Sequence, residues 1–102
     1  MTRRASRTDA NHSEIRSALR SIGCYVIDAS NVGAGFPDLV AGWRGKWMLI
    51  EVKDGSKPPS KRKLTADQMV LHAEAERVGC EVHVVHSVDE AISAVQSETL
   101  KR

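Results

Sequence analysis

Two β-rich runs, Asp38 to Trp43 and Lys46 to Lys53, are separated only by Arg44-Gly45, and this spacing constrains the chain more than any other feature. A two-residue connection between strands is a tight hairpin turn. Trp43 therefore pairs with Lys46, and stepping outward along both strands brings Asp38 opposite Glu51. Directly opposed residues share one side of the pair, with Cβ atoms about 4.5–5.5 Å apart. Lys53 lies two residues beyond Glu51 and points to the same side. Two carboxylates and one ammonium group converge on one spot.

Opposed carboxylates repel, and sheets avoid them unless a cation lies between them. A hard divalent ion such as Mg²⁺ takes oxygen ligands from carboxylates, carbonyls, water and substrate phosphates. Asp38 and Glu51 are the candidate ligands, with the backbone carbonyl of Val52 as a further one. Such an ion lowers the pKa of a bound water and polarises a phosphate. Lys53, beside two carboxylates, stays charged and either orients the attacking water or stabilises developing charge. The competing reading is a surface ion network on a half-exposed sheet. Pro37 and the glycine-rich segment before Asp38 favour a site. Trp47 and Leu49 share the face of Glu51, which is therefore expected to lie partly under a helix, and buried carboxylates without a purpose are rare.

The remaining elements follow from local patterns. Ile15, Ala18, Leu19 and Ile22 recur at helical spacing, capped by Asp9 or Asn11 and stopped by Gly23. Glu14, at the edge of that stripe, is placed to reach the rim of the site as a ligand, directly or through water. Cys24 to Ala29 reads as a strand and Ser30 to Pro37 as a glycine-rich loop. Residues 54–63 form a polar, basic loop interrupted by proline. Thr65 and Gln68 make a capping box that opens a helix ending at Gly79; Gln68 either completes that box alone or also reaches the site. Cys80 to His86 alternates as a strand, and Ser87-Val88-Asp89-Glu90 opens a last helix with Val88, Ala91, Ile92 and Val95 on one face. The order is α-β-β-β-α-β-α, an α/β fold with a mixed sheet, strands 1 to 3 as a meander and helices on both faces. Residues 1–8 read as a disordered basic arm, 9–97 as one domain and 98–102 as a frayed tail.

With 102 residues, 41% of them apolar and 27% charged, the chain has the size and composition of one globular domain. Its longest apolar-rich run, Trp47 to Ile50, is too short to span a bilayer. The basic N-terminus has no apolar stretch of a secretory signal, so a cytoplasmic location is expected. Cys24 and Cys80 each follow a glycine and read as small buried hydrophobes. The cations cluster at Arg3, Arg4 and Arg7, at Lys57, Lys61, Arg62 and Lys63, and at Lys101 and Arg102, an arrangement that suits phosphates or a solvated surface equally. His12, His72, His83 and His86 share no metal-ligand spacing; His12, near Glu14, is the one of interest. With four aromatic residues, no stacking platform for single-stranded bases is evident in the sequence.

Gly33-Ala34-Gly35-Phe36-Pro37-Asp38-Leu39, then Glu51-Val52-Lys53, then Leu64-Thr65 and Gln68, resembles the PD-(D/E)xK nuclease superfamily and, within it, the VRR-NUC family. The resemblance runs from the first helix to about Val85. It implies a restriction-endonuclease-like α-β-β-β-α-β core and a phosphodiesterase dependent on Mg²⁺ or Mn²⁺. It maps the family's helix glutamate onto Glu14, its aspartate onto Asp38, its E-x-K onto Glu51 and Lys53, and its glutamine onto Gln68. The compact members it most resembles are similar to Holliday-junction resolvases and work as homodimers on branched DNA. Two active sites related by a two-fold axis are also what symmetric cutting of a four-way junction requires. The loop bearing Lys57, Lys61, Arg62 and Lys63 would hold phosphates, setting affinity and not sequence preference. Gly33 and Gly35 either let DNA approach the backbone closely or simply make the turn. Other readings are a flap or restriction-type nuclease on the same chemistry, a non-catalytic DNA-binding subunit, and a charged strand face that docks another protein.

Overall fold

The computed structural model describes residues 10–100, so Asp9, the basic arm and Lys101-Arg102 lie outside the described residues. Seven elements follow in the expected order: α1 (His12–Ser21), β1 (Tyr25–Asp28), β2 (Leu39–Trp43), β3 (Lys46–Val52), α2 (Ala66–Arg77), β4 (Val82–Val85) and α3 (Val88–Leu100). The sheet order is β1-β2-β3-β4. The first three strands form an antiparallel meander, and β4 joins β3 in parallel after the α2 crossover. The turn between β2 and β3 is the two residues Arg44 and Gly45, both at positive φ, 50° and 85°. That twist matches the flanking strands. The register is the expected one, Trp43 opposite Lys46 through Leu39 opposite Ile50.

One sheet face carries Val26, Leu39, Ala41, Met48, Ile50, Val52 and Val85, covered by Ile15 and Leu19 of α1 and by Ala91 and Val95 of α3. This is the core, and its alternation with outward residues is the period-2 pattern of the strands. The other face is covered unevenly. The start of α2 lies over its Glu51 end, but α2 has no buried residue. Trp47 is 64% exposed, where partial burial under a helix was expected from its sharing the face of Glu51. A helix that touches the sheet mainly through its first turn does not reach that row.

Asn11 precedes α1 without a side-chain cap bond. Its amide instead donates to the carbonyls of Lys53 and His86, joining the start of α1 to the ends of β3 and β4. The capping box of α2 is complete. At the start of the last helix only half of a capping box forms: Ser87 Oγ accepts the Glu90 N–H, while the Glu90 carboxylate accepts the N–H of His86. Two further expectations are corrected. Cys80 is exposed, because it lies in the turn before β4 begins, whereas Cys24 is buried. The last helix, α3, extends to Leu100, into the segment expected to be a tail.

Candidate functional site

The loop into β2 holds Gly33, Ala34 and Gly35 in left-handed conformation, φ 83°, 55° and 79°. Gly35 is required for a second reason. A Cβ there would lie 2.4 Å from the Asp67 carbonyl oxygen, so the loop and the first turn of α2 touch backbone to backbone. Gly33 has open space around it. The loop delivers a buried Pro37 and then Asp38, one residue before β2. The Asp38 carbonyl accepts the Ala29 N–H at 2.8 Å, and its Oδ2 accepts the Val52 N–H at 2.8 Å. In a strand the N–H and C=O of one residue point to the same side, so the Val52 carbonyl also faces the Asp38 edge of β3.

Glu51 is the next residue beyond Ile50 in the ladder and is 1% exposed. Its Oε2 accepts from Gln68 Nε2 at 2.9 Å, and Gln68 Oε1 accepts from Lys53 Nζ at 2.9 Å. The same Oε1 accepts the Thr65 N–H. The two roles weighed for Gln68 are therefore both filled by one amide, which closes the cap of α2 and bridges the acid to the lysine. Asp38, Glu51, Lys53, the Val52 backbone and Gln68 form one connected constellation. Two carboxylates and a carbonyl are hard oxygen donors, the set that suits Mg²⁺ and not a soft metal.

Other residues lie elsewhere. Glu14 is exposed on α1 and lines a cavity of about 580 Å³ with Asn11, Asp54, Arg62 and Glu90, in which neither Asp38 nor Glu51 takes part. Lys57, Lys61 and Lys63 are exposed, and Arg62 donates to the Lys57 carbonyl. The basic loop is anchored, through Gly55 N–H to the His86 carbonyl and a short 3-10 turn at Pro59–Lys61.

Sequence reasoning missed one neighbour of this constellation, His72, and the structure places two other histidines apart from it. His72, one turn after Gln68 on α2, is half-buried, and its pKa is lowered by burial and by the charge of Lys53. The Gln68–His72 spacing was the available signal. His12 is buried and turned away from Glu14, its Nε2 lying 3.8 Å from Asp28 Oδ1, while Arg16 Nη1 donates to Asp28 at 2.6 Å. Burial alone would push the Asp28 carboxyl up, but bonds from Ser30, the nearby His12 and Arg16 together hold it below its ordinary value. His83, on the core face, lies between Glu81 and Glu98, its ring nitrogens 3.7 and 3.3 Å from their carboxylates. These three could geometrically hold an ion, but they include none of the residues around Glu51.

The mixed sheet, its helices and its register define a restriction-endonuclease-like core. More narrowly, the chain has a VRR-NUC-like fold. A solved structure described as a VRR_NUC domain superposes with a TM-score of 0.62 and 23% sequence identity, covering 86% of this chain and 97% of that one. No protein-family model and no curated protein matches the sequence. Among the described residues no helix is long and apolar enough to cross a membrane.

Proposed function

We propose that this chain is a metal-dependent endonuclease that hydrolyses phosphodiester bonds in branched DNA, acting as a homodimeric resolvase of four-way junctions. The observation that carries the reading is a carboxylate, Glu51, withdrawn from water and linked through Gln68 to Lys53, with Asp38 bound to the N–H of the next residue, Val52. Carboxylates are rarely withdrawn from water except where hydrogen bonds, a paired charge or a metal offset the desolvation. Asp38, Glu51 and the Val52 carbonyl would hold Mg²⁺, with Mn²⁺ able to replace it. Bound there, the ion lowers the pKa of a water ligand and stabilises charge on the phosphate.

The chain's own groups do the rest. Lys53 donates to the attacking water or to a phosphate oxygen as negative charge develops there. Gln68 keeps the ammonium and the Glu51 carboxylate in one geometry. The Val52 N–H fixes one oxygen of Asp38 and so the direction of the other. Glu14, which lines a separate cavity beside Asn11, would take part only through water. Lys57, Lys61, Arg62 and Lys63 contact backbone phosphates, and the Gly33–Gly35 loop lets the duplex come close.

The test is cleavage of labelled four-way junction, flap and plain duplex DNA with Mg²⁺, Mn²⁺ or EDTA, comparing wild type with Lys53→Ala. Symmetric metal-dependent cuts in the junction, absent from the variant, are expected. Preferential flap cutting keeps the chemistry and changes the substrate. Tight binding without cleavage of any substrate overturns the enzyme reading and leaves a DNA-binding subunit.

A further inference from the structure

The fold gathers three of the chain's four aromatic residues, Tyr25, Trp43 and Trp47, at the hairpin end of the sheet. Tyr25 and Trp47 both pair with Gly42, on its two sides. Because Gly42 has no side chain, the indole leans across it: a Cβ at Gly42 would lie 2.9 to 3.4 Å from three carbons of the Trp47 six-membered ring. One surface of that ring rests on the sheet and the rest faces solvent. Tyr25 stands against it edge-on, ring centroids 6.2 Å apart at 67°. Floor and wall make a notch with flat π surfaces, left 64% and 66% exposed.

The charge around the notch identifies its occupant. Arg44 lines the same depression of about 390 Å³, and no carboxylate lines it; Lys46 also borders it, but its ammonium reaches toward the Glu98 carbonyl at 3.5 Å. The Arg44 guanidinium stacks over Trp43, 4.7 Å from the ring centroid, on a left-handed backbone that a non-glycine residue rarely adopts. Stacked aromatics with a flanking cation are a means of holding unpaired nucleobases and their phosphates. Position agrees. Trp47 and Glu51 are on the same face of β3, four residues and so about 13 Å apart, roughly four base steps of a stacked strand at 3.4 Å rise each.

We infer that Tyr25 and Trp47, flanked by Arg44, form a stacking site for an unpaired nucleobase a few nucleotides from the phosphate held at Glu51 and Lys53. The spacing rests on the nuclease reading above; the stacking site itself does not. It would favour substrates with unstacked bases near the cut over continuous duplex.

The test is binding, measured in EDTA by anisotropy of labelled oligothymidylate and of a fully paired duplex, with full-length wild type, Trp47→Ala and Trp47→Phe. A stacked base is worth enough that Trp47→Ala should weaken single-strand binding about five- to a hundredfold. Duplex affinity should stay within about twofold, and Trp47→Phe should retain most of the single-strand affinity. Circular dichroism confirms that the exposed substitution leaves the fold intact. Equal losses on both nucleic acids overturn the inference. So does unchanged single-strand affinity, and sedimentation showing a dimer turned monomer in that case reassigns the face to a subunit contact. Selective loss in a protein whose wild type cuts nothing sustains the stacking site and removes the nuclease. Cleavage of junctions with single-strand binding unaffected by Trp47→Ala does the reverse.

Discussion

The Lys53 ammonium donates to Gln68 Oε1 at 2.9 Å, the same oxygen that accepts the Thr65 N–H and closes the cap of α2. The position of a charged group on a strand is thereby set by how a helix begins. A rigid element holds a reactive group more accurately than a loop does, and this contact makes α2 part of the site although it buries no residue of its own.

Thr65 and Gln68 share the cap but not the site, so substitutions separate the two roles. Thr65→Ala removes the acceptor for the Gln68 N–H and should cost about 1 kcal/mol of stability with little effect on cleavage. Gln68→Ala should cost a similar amount of stability and lower cleavage about ten- to a hundredfold, as losses of supporting partners around a metal do. Denaturant melts and single-turnover rates on both variants make the comparison. Equal activity in the two would limit Gln68 to its cap.

Asp38 is bound to the Val52 N–H, so its removal has a structural as well as a chemical effect. Asp38→Ala should lower stability by about 1–3 kcal/mol, the range for a hydrogen bond to a charged group. Asp38→Asn keeps an acceptor and should lose less. Both should reduce cleavage about a thousandfold, corresponding to several kcal/mol of transition-state stabilisation. Mg²⁺-dependent thermal stabilisation should disappear with the activity.

The two loop glycines differ in what surrounds them. Gly35→Ala drives a methyl group into the Asp67 carbonyl at a left-handed φ, and should destabilise by about 2–4 kcal/mol from conformation and overpacking combined. Gly33→Ala meets no atom and should cost about 1 kcal/mol. Because Gly35 backs onto the turn that carries Gln68, its variant should also lose activity beyond what unfolding explains. Chemical denaturation with activity assays at saturating Mg²⁺ checks both.

His72 should titrate below its ordinary value near 6.5, held neutral by burial and by Lys53. A lowered histidine pKa means the unfolded chain binds the proton more readily. Stability should therefore fall as pH drops below about 6.5 and be unaffected by this group above it. Lys53→Met removes one cause and should raise the His72 pKa, read from its imidazole proton resonances across pH 5–8 in EDTA. No change would place Lys53 too far away to act.

The order of elements and the hairpin register were legible in the sequence because each is a local consequence. A two-residue turn dictates pairing, and period-2 alternation dictates sides. Thr65 and Gln68 announced the start of α2 for the same reason. Cys80, expected to be buried, is exposed because β4 begins two residues later, and strand ends depend on where the neighbouring strand stops. Trp47, expected under a helix, is open because α2 meets the sheet through its first turn, at Gly35 and through Gln68, and not through a buried face of its own.

The sequence by itself determined what is near in the chain: the strands, their register across the hairpin and the cap of α2. Only the tertiary structure decided what meets across it: Gln68 between Glu51 and Lys53, Asn11 on the carbonyls of Lys53 and His86, His12 toward Asp28, and Trp47 lying over Gly42. The physical reason is range. Turn geometry and side-chain periodicity act over a few residues, whereas burial and long-range hydrogen bonds depend on which surfaces the whole chain brings together.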